Sequence, residues 1–252
     1  MRGTVSQSCL VGGRWRPGSG ETLVSTNPST GHVVWRGTAG LAPDVDEAVA
    51  AARAAASDWA QRPASERIAS LATCASLLER DGDDLARAIS LEVGKPRWEA
   101  RAEVTAMRSK IDVTIRAWRE RQQERIEPDD GGWAATRYRP HGVLAILGPF
   151  NLPGHIPHGQ IVPALLAGNS VIFKPSEFAP LVGSWLADIW QRADVPAGVF
   201  NMVSGGGETG QLLASHAGVD GVLFTGSYAT GVALARLLAP EPGKLLALEL
   251  GG

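Results

Sequence analysis

The chain has 252 residues, enough for one large domain or two modest ones with a substantial core. A formal charge of −2 leaves no basic footprint for nucleic acid. The apolar stretches, 142–150 among the longest, fall far short of a bilayer span, and the start, Met1-Arg2-Gly3-Thr4, has no apolar leader core, so neither membrane nor secretion is expected and a cytoplasmic location is. Cys9 and Cys74 make neither a metal pattern nor a disulfide framework.

The first forty residues, rich in Gly, Ser and Thr with short apolar runs, read as small strands and turns. From Asp44, the expected N-cap, Val45, Val49, Ala52 and Ala56 recur at helical spacing. Further helices are predicted over 64–80 and 83–93, the second stopped by Gly94 and Pro96. The stretch 97–127 is the most charged, with Ala102, Met107, Ile111 and Ile115 as a buried stripe and its charges on a solvated face. Asp129-Asp130-Gly131-Gly132 is a turn, and 133–138 alternates like a strand.

From Val143 the pattern becomes α/β. Strands are predicted over 143–147, 170–173, 199–203, 221–224 and 245–248, with helices over 157–167, 180–192, 208–215 and 230–238 between them. Alternation of this kind predicts a doubly wound parallel sheet, here a cofactor region over 141–252 preceded by a helical segment with small β elements over 1–140. Residues just past the strands then gather at the carboxyl edge of the sheet, where open α/β sheets bind ligands.

Four groups fall at that edge. Asn151, in a turn between prolines, carries a side-chain amide that donates two hydrogen bonds without titrating, which suits a charge that appears and disappears. Lys174, Ser176 and Glu177 follow the second strand, and an ammonium with a carboxylate can hold a ribose diol. The carboxylate would repel a 2′-phosphate, which favours NAD over NADP. Phe224-Thr225-Gly226-Ser227 opens a helix whose backbone N–H groups and Ser227 hydroxyl could take a pyrophosphate at Gly226. Glu249, beside Gly251-Gly252, could face a water as a general base. No Gly-x-Gly-x-x-Gly follows the first strand, and Gly205-Gly206-Gly207-Glu208-Thr209-Gly210 lacks the Lys-Ser/Thr of a nucleoside-triphosphate loop. His155 and His158 have H-x-x-H spacing, but Pro157 between them and the lack of nearby acidic or Cys ligands argue against a metal. Cys74 reads as a core residue and Cys9 as part of a flexible terminus.

Pro149-Phe150-Asn151-Leu152-Pro153, Phe173-Lys174-Pro175-Ser176-Glu177, Phe224-Thr225-Gly226-Ser227 and Leu248-Glu249-Leu250-Gly251-Gly252 resemble, in order, four signatures of the NAD(P)-dependent aldehyde dehydrogenase superfamily. Val11-Gly12-Gly13-Arg14-Trp15, Asn27-Pro28-Ser29-Thr30-Gly31 and Glu92-Val93-Gly94-Lys95-Pro96 are similar to it too, so the resemblance covers essentially the whole chain. It implies NAD as cofactor, a small-molecule aldehyde as substrate and a possible homo-oligomer. It assigns Asn151 as oxyanion donor, Glu249 as the base for thioester hydrolysis, Lys174, Ser176 and Glu177 to cofactor binding, and Gly226 and Ser227 to the cofactor phosphates. The text around Gly154-His155-Ile156-Pro157 and Ile161-Val162-Pro163-Ala164 is most similar to the branch that oxidises N-succinylglutamate 5-semialdehyde in arginine catabolism. In the family a cysteine attacks the carbonyl, hydride leaves to the nicotinamide, and water releases the acid. That cysteine follows the Glu-Leu-Gly-Gly motif by a few tens of residues, in a separate catalytic domain. The resemblance therefore implies a truncated chain that holds the cofactor platform without its nucleophile, inactive alone and prone to self-association through uncovered apolar surface. The rival expectations are a non-catalytic NAD-binding or subunit-interaction protein, and a truncated product without function.

Overall fold

The computed structural model describes residues 7–122 and 124–251, so Gly252 of the last motif and residues 1–4, read above for a leader, lie outside the described residues. Four short strands open the chain, β1 (Cys9–Val11), β2 (Arg14–Arg16), β3 (Thr22–Thr26) and β4 (Val33–Thr38). Four helices follow, α1 (Ala42–Gln61), α2 (Ala64–Arg80), α3 (Gly82–Val93) and α4 (Arg97–Arg121). A hairpin, β5 (Arg125–Asp129) and β6 (Gly132–Thr136), leads into the alternating half. That half runs β7 (Val143–Leu147), α5 (His155–Leu166), β8 (Ser170–Lys174), α6 (Pro180–Arg192), β9 (Phe200–Val203), α7 (Gly207–Ser215), β10 (Gly221–Gly226), α8 (Tyr228–Leu238) and β11 (Leu245–Leu250).

The doubly wound sheet expected from the sequence is present. Five strands pair in parallel in the spatial order β11-β10-β7-β8-β9, so the strand order reverses between β7 and β10. Such a reversal leaves a crevice at the carboxyl ends, because the connections leave to opposite faces there. β7 is apolar throughout because both its faces are covered. Leu144 and Ile146 pack with α2–α6, while Val143, Ala145 and Leu147 pack with α1, α7 and α8, as the twofold period of a strand requires.

Several local expectations shift. Cys9 is not in a loose terminus: β1 pairs antiparallel with β9 and β2, and the residue is fully buried. Asp44 does not cap α1 from outside. It is the third helical residue, and its carboxylate accepts from the Leu41 N–H at 3.0 Å, with further bonds from Ser19. In α4 the buried stripe is Ala100, Val104, Met107 and Ile111, and Ala102 is exposed. One α4 charge, Glu103, is buried rather than solvated. The helix ends at Arg121, and Arg125–Asp129 pairs with Gly132–Thr136, because Pro128 and the Asp-Gly turn suit a hairpin and not a helix.

The helix starts that matter to the crevice are set by named groups. Gly94 closes α3 at φ 73°, a conformation glycine adopts without strain, and so turns Lys95 toward α4. Glu92 reaches from α3 to the start of α6, where its carboxylate accepts from Leu181 N and Val182 N, each at 2.8 Å. Burial pushes that carboxyl up to about 7 against the pull of those bonds. His158 of α5 is fully buried and stacked on Trp190, with burial driving its pKa down to about 3, so it is a core side chain. Among the described residues, no helix is long and apolar enough to cross a membrane.

Candidate active site

The cleft of about 720 Å³ lies over the carboxyl ends of β7, β8, β10 and β11, and it is the size of a small-molecule site (~300–1,000 Å³). All seven sequence-predicted residues line it: Asn151, Lys174, Ser176, Glu177, Gly226, Ser227 and Glu249. The one strand between β8 and β10, β7, spreads them into two ends.

At one end Lys174 closes β8, level with Leu147 of β7. The side chain is buried, and Nζ donates to Pro175 O at 2.8 Å and to Gly205 O at 2.6 Å, with the Glu177 carboxylate 3.7 Å away. An ammonium has three donors; two go to backbone carbonyls of the chain itself, and Glu177 stands at ion-pair distance from the third. Burial lowers the Lys174 pKa to about 8, opposed by Glu177. Lys174 therefore straps the loop after β8 to the loop after β9. Glu177 is the more accessible of the pair, its side chain 41% exposed against 7% for Lys174. Ser176 accepts from Phe178 N at 3.3 Å, which fixes the turn.

The middle of the cleft is a helix entrance. Ser227 is the N-cap of α8, its Oγ accepting from Thr230 N at 3.2 Å, so the helix begins two residues before the predicted start. The first N–H groups of α8 are left without intrahelical partners, the arrangement that binds anions. A Cβ on Gly226 would meet the Phe224 ring at 2.4 Å, so any side chain there would have to displace that ring. Across the cleft, a Cβ on Gly206 or Gly207, before and at the start of α7, would meet nothing within 4 Å, which leaves room for a ligand against the backbone.

At the other end the polar groups are open. Asn151 is exposed, its Oδ1 accepting from Leu152 N at 2.9 Å, and its Nδ2 has no partner among the described residues. Glu249 is exposed, level with Thr225 in the β10–β11 register, and forms no hydrogen bond or ion pair among the described residues. Phe150 and Phe178, 55% and 65% exposed, meet edge to face at 6.0 Å on the rim.

Two supports of this end went unread in the sequence. Glu103 Oε1 accepts from Gly154 N at 2.9 Å and His155 N at 3.1 Å, holding the turn after Asn151, while Oε2 pairs with Lys95 Nζ at 2.6 Å. Nothing local betrays this, since the bonded N–H groups lie half a hundred residues away. Gln160 of α5 donates to Thr225 Oγ1 at 3.1 Å; a lone amide in a helix of small and apolar residues was the available signal.

Neither cysteine lines the cleft. Burial raises the Cys9 thiol to about 11, and burial raises Cys74 as well, so both are held as neutral thiols.

The profile of the aldehyde dehydrogenase family matches residues 15–252. The chain is 50% identical over 245 residues to N-succinylglutamate 5-semialdehyde dehydrogenase of Klebsiella pneumoniae subsp. pneumoniae, covering 97% of this chain and 50% of that protein. The protein of the same name from Ectopseudomonas mendocina is 50% identical over 242 residues, covering 96% of this chain and 50% of its own length. The chain thus spans about half the length of the curated relatives it matches. Among solved structures, an NAD-dependent benzaldehyde dehydrogenase from Corynebacterium glutamicum superposes with a TM-score of 0.92 at 32% identity, covering 100% of this chain and 56% of that one. A mutant of aldehyde dehydrogenase C from Pseudomonas syringae, in complex with NAD+ and octanal, gives 0.89 at 34% identity, covering 98% of this chain and 51% of that one.

Proposed function

The chain belongs to the aldehyde dehydrogenase family, and from that premise we propose that it forms the dinucleotide-binding half of an NAD-dependent enzyme oxidising N-succinylglutamate 5-semialdehyde to the carboxylic acid in arginine catabolism. The observation that carries the reading is one cleft, at the strand-order reversal, with the Glu177 carboxylate at one end and, at the other, an amide NH2 and a carboxylate that have no partner among the described residues. The substrate is taken from the half-identical relatives that bear that name.

The residues present fit a dinucleotide. Glu177 would accept from a ribose diol and repel a 2′-phosphate, which favours NAD over NADP. The free N–H groups at the start of α8, with Ser227, would take the pyrophosphate, and the open faces of Gly206 and Gly207 leave space for the adenosine. Bound there, NAD supplies a hydride acceptor. Asn151 Nδ2 donates to the oxyanion formed when the aldehyde is attacked; a preorganised neutral donor of this kind is typically worth ~10²–10³ in rate. Glu249 takes a proton from the water that releases the acid.

The nucleophile of that chemistry is not supplied by Cys9 or Cys74, both buried away from the cleft. The 252-residue chain by itself therefore binds NAD without turning over aldehyde. The same observation favours a second reading, a dinucleotide-binding protein without catalysis. Incubating the purified chain with NAD and N-succinylglutamate 5-semialdehyde tests the first reading: saturable NAD binding with no NADH is expected. Rapid NADH formation would overturn the assignment of the thiols, and absence of NAD binding would overturn the cofactor site.

A further inference from the structure

Lys110 of α4 carries a half-buried ammonium that forms no hydrogen bond or ion pair among the described residues. Its side chain does not lead away into water. A Cβ on Gly159 of α5 would meet Lys110 Cε at 3.4 Å, so the far end of the chain, with the ammonium one bond beyond, lies against α5 where that helix has no side chain. The carboxylate buried where the two helices meet is already engaged: Glu103 Oε1 accepts from Gly154 N and His155 N, and Oε2 accepts from Lys95 Nζ. His155, one turn before Gly159, is half-buried, and its Nδ1 is shielded from solvent without a partner among the described residues. Burial holds its imidazole below the ordinary pKa; Glu103 pulls the other way and the Lys110 charge adds to the effect. Withdrawing an ammonium from water without a counter-charge costs stability that a methionine of similar shape would not cost. A lysine whose stem merely covers apolar surface sends its head out to water, and this one lies along a neighbouring helix instead.

The place of this cation says what it serves. α5 begins at His155, four residues after Asn151, and Gly159 follows one turn later. Neither Lys110 nor His155 lines the cleft over the strand ends, so an anion that meets them lies beside the dinucleotide's place and not in it. On the substrate reading above, on which this inference rests, the aldehyde held at Asn151 is N-succinylglutamate 5-semialdehyde. That molecule carries one carboxylate on its glutamate carbon and another at the far end of its succinyl group, so its tail is a dianion that has to leave the cleft past the start of α5. We propose that Lys110, with the His155 imidazole beside it, is a specificity-determining residue that takes a carboxylate from the tail of the substrate. The chain thereby selects aldehydes that bear a carboxylate remote from the carbonyl over neutral ones.

The test is a calorimetric titration of the purified chain with N-succinylglutamate 5-semialdehyde, with its dimethyl ester, which has the same skeleton and no charge, and with NAD. The wild-type chain should prefer the dianion over the ester roughly tenfold, within the worth of a hydrogen bond to a charged group. Lys110→Met, which keeps the stem, should bring that ratio close to one, leave NAD affinity unchanged, and unfold at the wild-type temperature or higher, since a charge without a partner is gone. Lys110→Arg, which keeps the charge, should retain most of the preference. A lysine that only covers α5 would do the reverse, with Lys110→Met leaving the ratio alone. A ratio preserved in Lys110→Met, or a wild-type chain that binds dianion and ester equally, overturns the proposal while the substrate skeleton and the NAD site stand. A chain that binds NAD and neither aldehyde overturns the substrate reading and takes this inference with it. A Lys110-dependent preference in a chain that does not bind NAD keeps the carboxylate site and overturns the dinucleotide reading alone. Should Lys110→Met not fold, Lys110→Gln decides the ratio.

Discussion

The two ends of the cleft are built on opposite principles. Around Lys174 the polar atoms are satisfied within the chain: the ammonium holds two carbonyls and faces Glu177, and Ser176 fixes its own turn. Around Asn151 and Glu249 the amide NH2 and the carboxylate are exposed and without partners among the described residues, while the bonds that brace their surroundings lie one layer behind, in Glu103–Lys95 and Gln160–Thr225. A binding end gains from being finished before the ligand arrives, because less ordering is left for binding. On the proposed function the other end is the chemical one, which must keep its donors and acceptors free for groups that come and go, so that its stability has to be supplied from beneath.

The contrast can be broken most severely at the buried support. Glu103→Ala should cost ~3 kcal/mol in urea unfolding, because it leaves the Lys95 ammonium, whose side chain is only 9% exposed, with only the more distant Glu99 at 4.0 Å, and frees the turn after Asn151. A loss below about 1 kcal/mol would mean that the pair does not hold that turn. Next comes the finished end: Lys174→Met should cost roughly 2 kcal/mol even without ligand, since the Pro175 and Gly205 carbonyls lose a charged donor. An unchanged unfolding temperature, with only NAD affinity lost, would make Lys174 a ligand contact and not a strap.

The same residue predicts a pH dependence. Its folded pKa, about 8, lies below its ordinary value of 10.5, so between those values the unfolded chain binds the extra proton and stability must rise with pH. Relative to Lys174→Met, the wild-type chain should therefore gain stability as pH rises from about 8 to 10.5 and show no such gain below 8. A difference that is flat across that window would contradict the burial of the charge. Smaller again, Ser227→Ala removes the α8 cap and should cost about 1 kcal/mol while weakening NAD binding. Smallest in stability are Asn151→Ala and Glu249→Ala, each expected within ~0.5 kcal/mol of wild type, because both are exposed, Asn151 makes only a local bond to Leu152 N, and Glu249 makes none among the described residues. A large loss at either would erase the distinction between the ends.

Much of this was legible because the parallel strands are short apolar runs bounded by Gly, Pro or Asn, and β7, β8, β9 and β10 fall within a residue or two of their predicted bounds. The residues just past those strands were legible for the same reason, as strand ends place loops at one edge. Long-range pairing was not. Cys9–Val11 joins the sheet through β9, almost two hundred residues on, and no periodicity in three residues announces that. The α4 stripe was read from Ala102 instead of Ala100 because alanine marks a face only weakly, and Glu103 was read as solvated because its partners are remote N–H groups. β5 was absorbed into the preceding helix because its charges, Arg125, Glu127 and Asp129, continue the helical composition.

The most direct test of the central claim, a preformed dinucleotide cleft that reads the ribose with Glu177, is a titration of the purified chain with NAD and NADP side by side. Saturable NAD binding with one site per chain, and NADP at least tenfold weaker, is the predicted result. No binding of either, or NADP bound as tightly as NAD, would contradict it.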